Sequence, residues 1–263
     1  MIKLFRNFRK KMLKENKTQR YFKYAFGEIV LVVIGILIAL QINTWNENRK
    51  AANEETTILR ALEADFKVSK ARIVETMKSQ KRVLDYSKIL IEIHEEQNEK
   101  EFEYFDIHLD SLDHLIGYGT SWYRTEPVTG AYNALISAGK VDLIKNEELR
   151  NILAQFSADL ESGFEDQDNT MKYLQHLVTI HSKFTLKISS KKFRDVLNLS
   201  PRKKDTLKVS KKFFSNNSYF SILFEKSILE YNRFNRQKNM LDQTNAILKI
   251  INSELKRGKP LKI

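Results

Sequence analysis

The chain has 263 residues and no cysteine, with only three prolines and eight glycines. Without cysteine there are no disulfides, no zinc–cysteine sites and no thiol nucleophiles. So few prolines and glycines argue against a sandwich, a barrel or a doubly wound sheet, because those folds turn often. A glycine-rich phosphate loop is also missing, and Ser121 lacks the flanking glycines of a nucleophile elbow. What remains suits an all-α chain, long enough to bury a real core.

The net charge of +12 is placed unevenly. Residues 1–23 carry nine basic side chains against Glu15 alone, and residues 187–212 carry ten against Asp195 and Asp205. Each segment therefore contributes +8, and the rest of the chain is −4. Charge confined to two short runs does not describe a nucleic-acid-binding domain, and no nucleic acid is expected as partner. Residues 92–113 are the acidic counterpart, nine acids with Lys100 as the one base. They read as a solvated helical face rather than a calcium loop, with docking against the basic 187–212 segment as the alternative.

The basic N-terminal segment, 1–23, leads into the most apolar stretch of the chain. Ile29 to Leu40 has no polar side chain, and the 22 residues from Tyr24 to Trp45 are interrupted only by Glu28, Gln41, Asn43 and Thr44. As a helix this stretch is roughly 33 Å long, enough to cross the hydrocarbon core of a bilayer. Tyr21, Phe22 and Tyr24 stand at one end and Trp45 at the other, as rings do at membrane interfaces. Ala39-Leu40-Gln41 lacks the small-residue pattern of a cleavage site, so 24–45 reads as an uncleaved transmembrane helix. The preceding basic residues place the N-terminus in the cytoplasm and residues 46–263 outside it, as in a bacterial inner-membrane protein with a periplasmic domain. Glu28, Gly35 and Ala39 share one helical face. Gly35-x-x-x-Ala39 lets another helix approach closely, from a protein partner or a second copy. A carboxylate in this position faces such a partner, a water path or the headgroups; pairing with Arg20 or Lys23 is the plainer reading.

The run Gly27-Glu28-Ile29-Val30-Leu31-Val32-Val33-Ile34-Gly35-Ile36-Leu37-Ile38-Ala39-Leu40-Gln41-Ile42-Asn43, followed by Trp45-Asn46-Glu47, resembles the N-terminal signature of a family of Bacteroidota membrane proteins of unknown function. The segment Tyr132 to Phe156, with Leu135-Ile136-Ser137-Ala138-Gly139 and Leu143-Ile144-Lys145-Asn146, is also similar to that family. The resemblance implies a short basic N-terminus, one span and an extracytoplasmic helical region. It implies no activity and no catalytic residue.

Beyond the span the pattern is helix after helix. From Glu47 to about Lys100 there is neither glycine nor proline, and Leu59, Leu62, Phe66, Ile73, Met77, Leu84 and Ile91 fall near one face. An acidic helix is expected over 102–116, stopped by Gly117 and Gly119, and a short one over 128–138, stopped by Gly139. A long helix begins after Asn146 as N-cap and runs to about Lys187, with Gly163 a place for a kink. A last helix, capped by Asn217 or Ser218, ends near Arg257-Gly258. In it Phe220, Phe234, Leu241, Leu248 and Leu255 recur at sevens, with Ser227 in the gap. Antiparallel packing of these helices gives an elongated four-helix-bundle-like domain. An even number of long helices would return Lys256, Arg257, Lys259 and Lys262 toward the outer leaflet, and no cytoplasmic output domain follows.

Signals for chemistry are few. His94-Glu95-Glu96-Gln97-Asn98 begins like a zinc-protease motif, but Asn98 stands where the second histidine must ligate. The pairs His108/His114 and His176/His181 do not have the i, i+4 spacing of two ligands on one helix face. No catalytic residue, metal site or cofactor is expected, and the chain does not read as an enzyme. Tyr118, Trp122, Tyr123, Arg124 and Tyr132 form the candidate ligand pocket, against the plainer reading of rings packing a loop onto the bundle. The expected function is a membrane-anchored extracytoplasmic bundle that binds a partner or ligand, as a sensor-like or scaffold subunit. The alternatives are an accessory subunit of an ion- or proton-driven complex and an envelope enzyme with an unrecognised site.

Overall fold

The computed structural model describes residues 18–124, 126–185, 195–198 and 206–257. Most of both basic segments, together with Gly258, Lys259 and Lys262, lies outside the described residues. The described residues form helices and no β-strand: α1 (Thr18–Glu96), α2 (Glu99–Ile107), α3 (Leu109–Gly119), α4 (Gly130–Ser137), a 3-10 turn (Val141–Leu143), α5 (Glu147–Thr185), α6 (Thr206–Phe214) and α7 (Asn217–Arg257). The protein is all-α. It divides into two units, one ending at Thr57 and the other beginning at Ile58.

In the first unit the helix is apolar on every face. All the large apolar side chains from Phe26 to Trp45 are exposed, Leu31 at 73%. Among the described residues no face of this stretch has a core to pack on, and a helix apolar all round belongs in lipid or inside a large assembly. It is the one helix among the described residues long and apolar enough to cross a membrane. Glu28 is half-buried and is not an unpaired carboxylate. Gly35 has no atom within 4 Å of where a Cβ would stand, and Ala39 is exposed, so this face is open to a neighbour.

The second unit is a bundle of three long helices: the part of α1 after Thr57, α5 and α7. One apolar cluster brings Leu59, Leu62 and Phe66 of α1 together with Leu149, Leu153 and Phe156 of α5 and Ile247, Leu248 and Ile251 of α7. The other joins Leu90 and Ile93, Leu177, and Tyr219, Phe220 and Leu223. Thus α1 and α5 run parallel and α7 runs against both. The rings mark the register: Phe66 meets Phe156 edge-on at 5.1 Å, and His94 stacks on Phe220 at 4.2 Å. Asn146 joins α5 to α7 by donating to Glu254 at 2.8 Å, while its Oδ1 accepts from the Leu149 amide as the expected N-cap.

Among the described residues no fourth long helix joins this bundle. Its place is taken by α3, a non-helical strap (described residues 120–124 and 126–129) and α4, running antiparallel to α1. Contacts along α1 show this order: Ser87 donates to the Gly119 carbonyl at 2.7 Å, and Arg72 to that of Glu126 at 2.9 Å. Ser69 exchanges hydrogen bonds with Val128, and Asp65 accepts from the Ala131 amide at 2.7 Å. The last contact puts a carboxylate at the N-terminus of α4, where the helix dipole favours it. At the other end of α4, the Gly139 amide reaches the Ile136 carbonyl and the Lys140 amide that of Leu135, with Gly139 at φ +65°. This is a Schellman stop, and Gly139 is the residue that can adopt it without strain.

Several expectations change in detail. The single helix over 102–116 is two helices, broken at His108, with no glycine or proline to announce the break. On α1 the inward positions beyond Met77 are Gln80, Val83, Ser87 and Leu90, while Leu84 and Ile91 are half-buried beside them. The cap of α7 is Asn216, whose Oδ1 accepts from the Tyr219 amide at 3.0 Å, rather than Asn217 or Ser218. The heptad of α7 holds at Phe220 and Leu248, but Phe234, Leu241 and Leu255 are half-buried and the middle of the buried face is charged.

Candidate functional site

Between the two apolar clusters the buried face of α7 reads Lys226, Glu230, Arg233 and Gln237. These follow one another at helical spacing, so they point the same way, toward the strap. The strap explains them. A fourth helix would satisfy its own backbone, whereas a half-buried non-helical segment takes donors from elsewhere. Lys226 donates to the Ser121 carbonyl at 3.0 Å and Arg233 to that of Tyr123 at 2.6 Å. Arg233 also pairs with Glu230 at 2.6 Å, the two side chains 3% and 0% exposed, and its guanidinium lies 5.1 Å from the centre of the Trp122 ring. Burial pushes the Lys226 ammonium below the ordinary lysine range, opposed by the Glu230 carboxylate and reinforced by the Arg233 guanidinium.

The layer is not fully satisfied. The Gln80 amide, one oxygen of Glu230, Oε1 of Gln237 and the Trp122 indole N–H are buried without a hydrogen-bond partner. Gln80 sits on α1 between Arg72, which donates to Glu126, and Ser87, which donates to Gly119. Each such group costs about 1–3 kcal/mol in desolvation. The polar layer therefore fixes where the strap lies at the expense of stability.

The five residues of the candidate pocket occupy separate surroundings. Trp122 and Tyr123 meet Arg233, whereas Tyr118 stacks on Tyr86 at 5.3 Å and meets His114 edge-on. Arg124 is exposed and pairs with Glu126 at 3.1 Å, and Tyr132 is buried in the cluster around Phe66. These contacts pack a loop onto the bundle. Two histidines pack into the bundle: His94 stacks on Phe220 and its Nδ1 lies 2.6 Å from the Phe214 carbonyl, and burial lowers the His181 pKa. Asn98 stands beyond the end of α1 and caps α2 through the Lys100 amide, so the residues from His94 to Asn98 do not share a helix.

A cleft of about 630 Å³ lies one helix away, between α1, α2 and α3. Its walls are Tyr86, Ile89, Ile93, Tyr104, Phe105 and Leu115. Lys100, Glu101, Ser111 and His114 supply its polar groups. One carboxylate oxygen of Glu101 is buried without a hydrogen-bond partner. Reasoning from sequence missed this cleft because its walls come from three helices, and Tyr86 and His114 of its lining meet the aromatic loop that drew attention through Tyr118. The acidic stretch and the end of the basic segment do meet: Phe102 and Phe105 pack on Phe214 of α6, and Lys211 lies 3.5 Å from Glu99. Rings carry that contact, since the exposed ion pair contributes little.

No curated protein and no solved structure matches the chain. One family model does match, over residues 28–216, from the start of the apolar stretch through α6 and including the whole cleft. That match spans well over half of the sequence, and the chain belongs to the family of unknown function DUF6090.

Proposed function

We propose that this chain is a single-span membrane protein whose helical unit lies outside the cytoplasm and binds a partner or ligand, as a sensor-like or scaffold subunit without enzymatic activity. The observation that carries the reading is the stretch from Phe26 to Trp45, apolar on every face and without a packing partner among the described residues. The basic residues before it favour an inside N-terminus in a bacterial inner membrane. The bilayer is then the first partner, and the open face of Gly35 and Ala39 offers a helix contact to a second protein or a second copy. Protease added to spheroplasts should digest the helical unit and leave a small N-terminal fragment. Protection of the whole chain would sink the topology. Affinity capture after detergent extraction should recover a stoichiometric protein; recovery of the chain alone, in monomeric form, would remove the scaffold reading.

A second reading, an accessory subunit of an ion- or proton-driven envelope complex, is favoured by Glu28, a half-buried carboxylate about one turn inside the apolar stretch. It separates from the first by its partner, which would be a multi-span ion-conducting protein, and by loss of recovery in Glu28→Gln.

A further inference from the structure

We infer that a second cleft, between α5 and α7, binds a neutral polyhydroxylated ligand, one sugar ring or a short run of them. The inference names a ligand class for the binding role proposed above and rests on that reading. The cleft has a volume of about 330 Å³, at the small end of the range for ligand pockets. Its α7 wall carries Asn232, Asn235 and Asn239. They stand at i, i+3 and i+7, so they share one face and span about 10 Å along the helix. Asparagine is a poor former of helix interiors, at home in a cap or in a bond to nearby backbone. None of the three has either role, and none hydrogen-bonds another described residue through its side chain. Each therefore presents two donors and an acceptor to whatever enters the cleft. Hydroxyl groups, which donate and accept at once, match a row of such amides.

Two further features set the charge and shape of the ligand. The charged groups of the described lining, Asp159 and Arg236, are one of each sign and already engaged. Asp159 accepts from Gln155 at 2.8 Å and from Gln243, and Arg236 donates to Ser162 at 3.2 Å. A charged ligand would compete with these contacts, whereas a neutral one leaves them in place. Met240 is the one apolar residue of the described lining, so an apolar ligand finds little to bury against. Tyr231 is 57% exposed and makes no ring contact with a described residue. It precedes Asn232 and lies one turn from Asn235, which sets an aromatic side chain beside the amide row. Amides with a neighbouring ring suit a sugar, which has hydroxyls at its rim and C–H groups on its faces.

The test uses the full chain in phosphatidylcholine nanodiscs, with empty discs as reference. Saturation-transfer NMR follows glucose, maltotriose, glucosamine and glucuronate in separate titrations. Glucose should bind saturably, and both charged sugars should bind more weakly. Asn232→Ala combined with Asn239→Ala should weaken glucose about tenfold, through two lost hydrogen-bonding groups. Both positions are exposed and alanine favours helix, so this variant should keep the fold. Tyr231→Ala should weaken glucose several-fold, and Asn151→Ala, exposed on α5 outside the cleft, should leave it unchanged. Tighter binding of maltotriose assigns the cleft to sugar units within a polymer, and equal binding assigns it to a free sugar; either supports the inference. Absence of saturable glucose and maltotriose binding, equal binding by the double variant, or preference for glucosamine or glucuronate overturns it. The protease and affinity-capture tests do not involve this cleft, so its failure leaves the topology and partner readings standing. Sugar binding by a chain whose helical unit is protected from protease would keep the cleft and remove the extracytoplasmic placement.

Discussion

At the scale of single residues, three side chains have consequences that can be measured. Gly119 ends α3 so close to α1 that a Cβ there would stand 2.8 Å from Leu90 Cδ1 and 3.2 Å from the Ser87 amide nitrogen. Leu90 can rotate away, but backbone cannot, so Gly119→Ala should destabilise the bundle by about 1–3 kcal/mol in denaturant titration. Tyr219 is fully buried with an unpartnered hydroxyl, and burial pushes its pKa well above the ordinary tyrosine value. The folded state therefore keeps this proton at a pH where the unfolded chain has lost it. Stability attributable to Tyr219 is constant below about pH 10 and falls as the pH rises beyond it. Tyr219→Phe should remove that alkaline decline and raise stability at neutral pH by about 1 kcal/mol, because it removes an unpaired buried hydroxyl. Thermal melts of both proteins between pH 8 and pH 11 would reveal it, and parallel curves would refute it. The Schellman stop at Gly139 and the Asn146 cap were legible in the sequence because one residue type at one position does the work. Gly119 was read only as a helix stop, since nothing local shows what the backbone will approach.

Among the elements, the strap is the part that sequence reasoning could not see. A search for apolar periodicity places Lys226, Glu230 and Arg233 on a solvated face by their chemistry, yet they are buried at 0%, 0% and 3% exposure. They face inward because a non-helical segment replaces the fourth helix and its carbonyls need donors. Leu59, Leu62, Phe66 and Ile73 of α1 and Phe220 and Leu248 of α7 were legible for the converse reason: there helix meets helix, and burial follows hydrophobicity. Removing one member of the Glu230–Arg233 pair leaves a buried charge, so Arg233→Met should cost about 3–5 kcal/mol. It should also lose the hydrogen bond to Tyr123, so combining it with Glu230→Gln should restore only part of the stability. Full restoration in the double variant would show that Arg233 does nothing for the strap. Lys226→Met should be milder, because burial already disfavours its charged form.

Across the whole molecule, class and order of helices followed from composition and punctuation, and so did the apolar stretch, a candidate membrane span. The run from Ile29 to Leu40 is too short by itself, and it is the flanks, out to Tyr24 and Trp45, that give the stretch the length to cross a bilayer. Val33→Arg and Ile36→Arg together should release the chain from the membrane fraction, at about 2.5–3.5 kcal/mol per arginine near the bilayer centre. Retention of that double variant in carbonate-washed membranes would point to anchoring by a partner. The cleft was not legible, because Tyr86, Tyr104 and Leu115 become neighbours only when three helices fold together.

The stacking of Arg233 on Trp122 has an optical consequence. The chain has two tryptophans, Trp45 in the apolar stretch and Trp122 in the strap. With Trp45 replaced by phenylalanine, all remaining indole emission comes from a ring held beneath a guanidinium in a layer with several unpaired polar atoms. The strap is the part of the bundle without helical hydrogen bonds of its own, so this fluorescence should redden at lower denaturant than the loss of helical circular dichroism. The protein thus carries its own gauge of local detachment, readable without any added label.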